Sequence, residues 1–157
     1  KIKMMRVHGQ SKRYLHKYIG MAGRLDTVQA AVLLAKLPYY TQELADRRQI
    51  AQRYTDALYD CLQVPIIKSN RLSAWAQYTV RVNNRNDIQA RLKGDSIPTA
   101  VHYPAPLHLQ ECFQYLNYKL GDYPIAEQSS KEVISLPMNA FLTNAQIDYI
   151  IYKVKKN

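Results

Sequence analysis

Apolar positions recur at helical spacing in the stretch that begins near residue 25. Leu25, Val28 and Val32 fall three and four residues apart, and Ala and Leu residues fill most positions between and after them. This pattern predicts a helix. Pro38 predicts that the helix ends or kinks there, because proline lacks a backbone N–H and clashes with the preceding turn.

A second helix is predicted over residues 40–60, where an apolar stripe again follows the helical period. Its stripe consists of Ile50, Tyr54, Ala57, Leu58 and Cys61. The arginines of this helix lie mostly off the stripe, and the simplest interpretation of them is a solvated face.

After Cys61 the pattern changes to short runs that alternate like β-strands. The clearest run covers residues 77–82, where Tyr78, Val80 and Val82 share one face. Further strands are predicted over residues 64–68, 97–103 and 133–136. Pro98 is tolerable near the start of its strand, where a missing N–H costs little.

Helices are predicted between and after these strands, over residues 84–94, 109–118 and 124–131, with Asn84 as the N-cap of the first. The last helix has the clearest signals, since Thr143 and Gln146 form a capping box. Its core face consists of Ile147, Ile150, Ile151 and Val154. Residues 1–24 show no clean period and predict irregular structure. The order of elements predicts an α+β layer domain on a long helical arm.

The composition fits about one globular domain with an unusually basic charge. The 157 residues carry a formal net charge of +10, and seven Lys and Arg residues precede the first acid, Asp26. Such a surface suits nucleic acid, phosphorylated small molecules or acidic partners, and composition does not choose among them.

The longest purely apolar run has six residues, far short of a membrane span. Two cysteines make no disulfide framework, so a reducing cytoplasm is the simplest compartment.

Several chemistries lack their sequence signatures. The four histidines and two cysteines stand in no metal-binding frame, so we expect no metal site and place Cys61 and Cys112 on apolar faces. No serine lies in a nucleophile-elbow context, and the five glycines form no phosphate-binding fingerprint. Stacking aromatics interleaved with basic residues are also missing, which argues against a nucleic-acid-binding module.

Two segments carry groups suited to ligand binding. In residues 20–26, Gly20 and Gly23 allow close backbone approach next to Arg24, whose guanidinium can pair with a carboxylate or phosphate. The alternative is a helix start with an Arg24–Asp26 salt bridge. In residues 102–108, His102 and Tyr103 end a predicted strand before a rigid proline loop, where ligand-facing side chains gather. The alternative is a half-buried pair that simply finishes the strand.

These two segments belong to a longer set of motifs, which covers nearly all of the chain in order. The motifs are Arg6-Val7-His8-Gly9-Gln10, Arg13-Tyr14, His16, Ile19-Gly20, Arg24-Leu25-Asp26-Thr27, Gln29-Ala30-Ala31, Gln77-Tyr78-Thr79-Val80-Arg81-Val82, Ile97-Pro98-Thr99, His102-Tyr103-Pro104, Pro106-Leu107-His108, Asp122-Tyr123-Pro124, Ala126-Glu127 and Ser135-Leu136-Pro137-Met138. The set resembles the DegT/StrS sugar aminotransferases, and among them the members that aminate a UDP-linked 3-keto-glucuronic acid derivative for surface polysaccharide such as lipopolysaccharide O antigen.

The resemblance implies the fold of type I pyridoxal-phosphate (PLP) aminotransferases, an α/β family. It implies that residues 1–40 end the large, PLP-binding domain and that residues 41–157 form the C-terminal small domain, including the bridging helix. The lysine that bonds to PLP and the carboxylate that pairs with its ring nitrogen would both precede Lys1. We therefore expect a C-terminal portion, a fragment that holds no catalytic residue and is inactive alone.

The resemblance also implies partners and site residues. The partners are a UDP-linked keto-sugar, an amino-acid donor such as glutamate, and a second subunit of a homodimer with a shared active site. Arg24, His102 and Tyr103 match substrate-contacting positions. Ala22 stands where the family usually has an Asn that donates to the PLP phosphate, and Ser96 where it often has Gly. The Ala22 departure leaves open a non-catalytic remnant or dimerisation module of the same fold.

Overall fold

The computed structural model describes residues 1–156. The chain divides into two compact units, residues 1–41 and residues 42–157. None of the helices within the described residues is long and apolar enough to cross a membrane.

The first unit opens with a small folded motif rather than the irregular structure expected for residues 1–24. A short helix α1 (Ile2–Met5) is followed by a hairpin of β1 (Gln10–Lys12) and β2 (Leu15–His16). An isolated antiparallel bridge joins Val7 to Ala22, so the segment after the hairpin returns along the segment before it.

Gly9 and Gly20 make this return possible. A Cβ on Gly20 would lie 2.3 Å from the amide nitrogen of Gly9, and Gly9 itself has a φ of +76°. Any larger side chain would separate the two backbone segments. The close approach expected for Gly20 is therefore confirmed, whereas a Cβ on Gly23 would come no nearer than 3.4 Å to a neighbouring atom.

The two predicted helices of the first third of the chain are both present. α2 spans Thr27–Lys36, and Pro38 lies in a 3₁₀ turn, Leu37–Tyr39, as its missing N–H requires. α3 then spans Tyr40–Leu58. The apolar side chains of α2 are mostly exposed, and none of its residues is buried.

The second unit is built on a two-stranded antiparallel sheet. β3 (Tyr78–Arg81) pairs with β4 (Val133–Leu136), so that Tyr78 faces Leu136 and Arg81 faces Val133. Because side chains alternate along a strand, Tyr78 and Val80 both enter the core as predicted. The buried apolar core consists of Ile50, Ala51, Tyr54, Leu58, Tyr78, Val80, Val82, Leu92, Ile97, Ile134, Leu136, Ile147, Ile150 and Val154.

Three further helices complete this unit: α4 (Arg85–Gly94), α5 (Pro124–Glu132) and α6 (Asn144–Lys155). The predicted capping box of α6 is confirmed, since Thr143 accepts from the Gln146 amide and Gln146 bonds back to the Thr143 amide. Asn84 does precede α4, but it adopts a left-handed conformation and its side chain makes no capping bond.

Several other predictions about elements and residue positions in the second unit were wrong. Residues 64–68 and 97–103 form no strands, and only isolated bridges at Gln63 and Ala100 tie those segments to the sheet. Residues 109–118 form 3₁₀ turns, Leu107–Leu109 and Glu111–Leu116, instead of an α-helix. Cys61 and Cys112 are both exposed, not on apolar faces. The predicted α+β mixture of elements is confirmed.

Candidate functional site

In the first unit, the segment that holds Ala22 and Arg24 is fixed by its backbone. The amides of Met21 and Gly23 donate to the carbonyls of Met5 and Arg6 at 2.9 and 2.8 Å, while Ala22 pairs with Val7. Ala22 and Arg24 are both exposed. The main chain is thus held on one side, which leaves the Arg24 side chain accessible to solvent.

The alternative interpretation of this segment, a salt bridge between Arg24 and Asp26, is wrong. Within residues 1–156 these two side chains form no ion pair with each other. Asp26 is the N-cap of α2 but makes no side-chain capping bond. The guanidinium of Arg24 therefore remains available for an external anion.

In the second unit, His102 and Tyr103 follow the point where the chain leaves the sheet. Ala100 exchanges backbone hydrogen bonds with Ser135 of β4, at 2.7 and 3.2 Å, which fixes the chain two residues before His102. The His102 and Tyr103 rings meet edge to face with centroids 5.6 Å apart. His102 is half-buried, whereas Tyr103 is 71% exposed.

Two open cavities adjoin His102. A cavity of about 470 Å³ is lined by His102, Tyr103 and the proline loop on one side and by residues of α5 on the other. A second, of about 360 Å³, is lined by His102 together with Pro98 and Pro137. Volumes of this size suit small ligands. The His102–Tyr103 pair thus lies at an accessible concavity rather than inside the core.

The ring of His102 is held from the sheet side. Its Nδ1 lies 3.0 Å from the Ser135 hydroxyl, which lies 2.8 Å from the Thr79 hydroxyl on the neighbouring strand. Sequence reasoning did not identify Thr79 or Ser135 as site residues. The signal that could have found them is the strand alternation, which turns Thr79 away from the Tyr78 and Val80 face.

A second histidine organises the segment that follows. His108 Nε2 lies 2.9 Å from the buried Glu127 carboxylate, which also accepts from the Gly121 amide at 2.8 Å. Burial works against the charged carboxylate, but the Gly121 amide and His108 outweigh it and lower the pKa of Glu127 below its ordinary value. Sequence reasoning gave neither residue a role beyond membership of a motif.

The residues present do not fit PLP by themselves. Ala22 is an exposed methyl group and supplies no side-chain donor for a phosphate. Lys1 and Lys3 lie at the exposed end of the first unit, where the Lys1 ammonium lies 5.4 Å from the centroid of the Tyr18 ring. Within residues 1–156, no three His, Cys, Asp or Glu side chains group as a metal site.

Comparison with known proteins places this geometry in a family. The model of the "DegT/DnrJ/EryC1/StrS aminotransferase family" matches residues 1–155. The chain is 42% identical over 150 residues to the UDP-2-acetamido-2-deoxy-3-oxo-D-glucuronate aminotransferase of Pseudomonas aeruginosa. This match covers 95% of this chain and 41% of that protein.

Solved structures agree. A DegT DnrJ EryC1 StrS aminotransferase from Brucella abortus superposes with a TM-score of 0.89 at 38% identity, covering 98% of this chain and 42% of that one. DesV of S. venezuelae, in complex with a ketimine intermediate, gives 0.92 at 29% identity, covering 99% and 42%. The chain thus spans about two fifths of the length of these relatives. It belongs to the DegT/DnrJ/EryC1/StrS aminotransferase family.

Proposed function

We propose that this chain is the substrate-binding C-terminal portion of an aminotransferase that moves an amino group from glutamate to the keto group of a UDP-linked sugar. The product would serve surface polysaccharide synthesis. The observation that carries the proposal is the family match over residues 1–155, together with exposed Arg24 and accessible His102 and Tyr103 at the substrate-binding positions of the motifs.

Arg24 is proposed to bind an anionic group of the substrate or of the amino-acid donor. Its guanidinium offers five N–H donors in a planar fork that matches a carboxylate or phosphate. It has no internal carboxylate partner among residues 1–156, so binding need not break an existing ion pair. A net charge of +10 also favours a ligand that carries a diphosphate and a carboxylate.

His102 and Tyr103 are proposed to bind the sugar part of the substrate. The imidazole is held by Ser135 and the phenol is exposed at the cavity of about 470 Å³. Both groups can hydrogen-bond to hydroxyl or carboxylate oxygens. In this proposal the three residues orient the substrate, and none of them forms or breaks a covalent bond.

Aminotransferases of this family depend on PLP, which when bound acts as an electron sink for the amino-transfer chemistry. We propose that the lysine and the acid that hold PLP lie in a part of the protein outside this chain. At the position where the family usually donates an Asn side chain to the PLP phosphate, Ala22 supplies no such bond. Loss of one hydrogen bond to a charged group costs about 1.5–3 kcal/mol, so we expect weaker PLP binding than with Asn.

The same proposal assigns the two parts of the chain to two different domains. Residues 1–40 would end the large domain, and residues 41–157 would form the small domain of a homodimer whose active site both subunits share. The exposed apolar surface of α2 supports this, because a helix that is apolar all round normally has partners. The two exposed, free cysteines, Cys61 and Cys112, fit a reducing cytoplasm.

A second candidate function is a non-catalytic or dimerisation module of the same fold, and Ala22 is the observation that favours it. Both candidates predict that the chain alone transfers no amino group. They differ in whether this sequence can complete an active site when the rest of the fold is supplied.

The experiment is therefore a chimera. The part of the Pseudomonas aeruginosa relative that precedes the matched region is joined to this chain, and amino transfer from glutamate to the UDP-keto-sugar is measured. The wild-type relative is the positive control, and an Ala22→Asn chimera tests the cofactor contact. Turnover by the chimera supports the aminotransferase. A folded, dimeric chimera that is inactive both with Ala22 and with Asn at that position would support the non-catalytic module instead.

A further inference from the structure

Three polar side chains form a continuous hydrogen-bonded series that ends at His102. Thr79 Oγ1 lies 2.8 Å from Ser135 Oγ, and Ser135 Oγ lies 3.0 Å from His102 Nδ1. Thr79 and Ser135 are direct partners in the register of β3 and β4. The backbone of Ser135 also pairs with Ala100, two residues before His102. Sheet geometry therefore fixes all three groups relative to one another.

The protons available decide the direction of these hydrogen bonds. Each hydroxyl has one proton to donate and can accept further bonds. If Thr79 donates to Ser135 and Ser135 donates to His102, both hydroxyl protons have an acceptor within the series. If Nδ1 of His102 donates to Ser135 and Ser135 in turn donates to Thr79, the Thr79 proton has no acceptor among residues 1–156, because Thr79 Oγ1 makes no other hydrogen bond there.

Burial matters most at Ser135, which is only 5% exposed, whereas Thr79 is half-buried. If Nδ1 and Thr79 both donated to Ser135, the buried Ser135 proton would have no acceptor among residues 1–156 and would lose hydration without gaining a partner. Donation from Thr79 through Ser135 to Nδ1 is the arrangement in which both hydroxyl protons have an acceptor within the described protein.

We infer that Ser135, oriented by Thr79, is a positioning residue that holds neutral His102 in the tautomer with its proton on Nε2. His102 then presents an N–H donor and no proton-accepting nitrogen to the ligand. This inference rests on the proposed function only in taking His102 as a substrate contact. It makes His102 selective for an oxygen acceptor, such as a sugar hydroxyl or carboxylate oxygen, and excludes the neutral ring as a general base at Nε2.

The tautomer can be measured on this chain without any amino transfer. Long-range ¹H–¹⁵N correlation spectra of the imidazoles distinguish protonated from unprotonated ring nitrogens. They are recorded at a pH high enough for the rings to be neutral. His16 is an internal reference of the opposite tautomer, because its Nδ1 lies 2.8 Å from the His8 carbonyl, which can only accept. We expect His102 to carry its proton on Nε2 and His16 on Nδ1 in the same spectrum.

Variants test which residues hold the tautomer. Ser135→Ala should return His102 to the tautomer mixture of a histidine peptide in the same buffer, and Ser135→Thr, which keeps the hydroxyl, should retain the Nε2–H form. Thr79→Val should lie between wild type and Ser135→Ala. Thermal unfolding of each variant checks that it remains folded.

Two results would overturn the inference: a proton on Nδ1 of wild-type His102, or a wild-type tautomer mixture equal to that of the peptide. A Ser135→Ala spectrum identical to wild type would remove the role of Ser135. None of these readouts requires turnover. A folded but inactive chimera would therefore refute the proposed function and leave this inference standing. The wrong tautomer in an active chimera would refute this inference and leave the proposed function standing.

Discussion

His108 donates from Nε2 to the Glu127 carboxylate across 2.9 Å, and this pair ties the segment after the proline loop to α5. The two side chains are 7% and 10% exposed. The same carboxylate oxygen accepts from the amides of Gly121 and Tyr123, at 2.8 and 3.4 Å. Since residues 107–123 contain only short 3₁₀ turns, Glu127 replaces the hydrogen bonds that regular structure would have supplied.

The first prediction concerns pH. Because the folded-state pKa of Glu127 is lowered from 4.5, its ionised form stabilises the fold above that value, and the stabilisation is lost as pH falls further through the folded pKa. Glu127→Gln should therefore unfold at a lower temperature than wild type at neutral pH. The gap between the two should narrow as pH falls below about 4.5. Thermal unfolding followed by circular dichroism over this pH range measures it.

The matched control is Glu111→Gln, on the same segment but exposed and without a hydrogen-bonded partner for its side chain among residues 1–156. It should leave the unfolding temperature nearly unchanged at neutral pH. A gap for Glu127→Gln that stays constant down to low pH would show that the carboxylate charge is not what holds the segment.

The second prediction concerns the centre of the core. The hydroxyl of buried Tyr54 donates to the carbonyl of Pro137 at 3.0 Å, and Pro137 belongs to the same motif as Ser135. Tyr54→Phe leaves that carbonyl without its partner, so we expect a loss of about 1–3 kcal/mol in the free energy of unfolding by urea. Tyr59→Phe, at an exposed position just past the end of α3, should change it by less than about 0.5 kcal/mol. Equal effects of the two substitutions would contradict the prediction.

The contrast between correct and wrong elements has a physical cause. α6 and β3 were predictable because their signals are local: a capping box, and alternation of Tyr78 and Val80 with polar residues. Residues 97–103 alternate in a similar way, but a strand needs a partner edge. Only Ala100 meets one, at Ser135, after Pro98 has removed a donor. The sequence alone does not indicate which strand edge of the sheet is available for pairing.

The residues of the candidate site likewise fall into those that local signals indicate and those that they do not. Arg24, His102 and Tyr103 were predicted because they belong to the motifs and lie in segments with glycine or proline, which mark loops. Ser135 and Glu127 act on histidines 33 and 19 residues away in the chain. Hydrogen bonds over such separations depend on the tertiary fold, and no local pattern encodes them.

The third prediction concerns Ser96, which stands where the family often has glycine. Its φ of +60° lies in the left-handed region, which costs an L-residue roughly 1–2 kcal/mol and glycine little. After the extra entropy of glycine in the unfolded chain, Ser96→Gly should stabilise the protein by about 0.5–1 kcal/mol in urea unfolding. Ser129→Gly, inside α5, should destabilise it by about 0.5–1 kcal/mol. Destabilisation by both substitutions would refute the strain at Ser96.

The fourth prediction tests Arg24 in the chimera that transfers an amino group. Arg24→Ala should raise KM for the anionic ligand roughly 10- to 100-fold, because a hydrogen bond to a charged group is worth about 1.5–3 kcal/mol. Arg24→Lys should recover only part of this, since an ammonium lacks the planar fork. Arg48→Ala removes another exposed charge, from α3, and controls for the general field of the +10 chain. Steady-state kinetics at two salt concentrations separate the effects, because a field effect should weaken with salt for both variants alike. If Arg48→Ala raises KM as much as Arg24→Ala does, Arg24 contributes only to the field and does not contact the ligand.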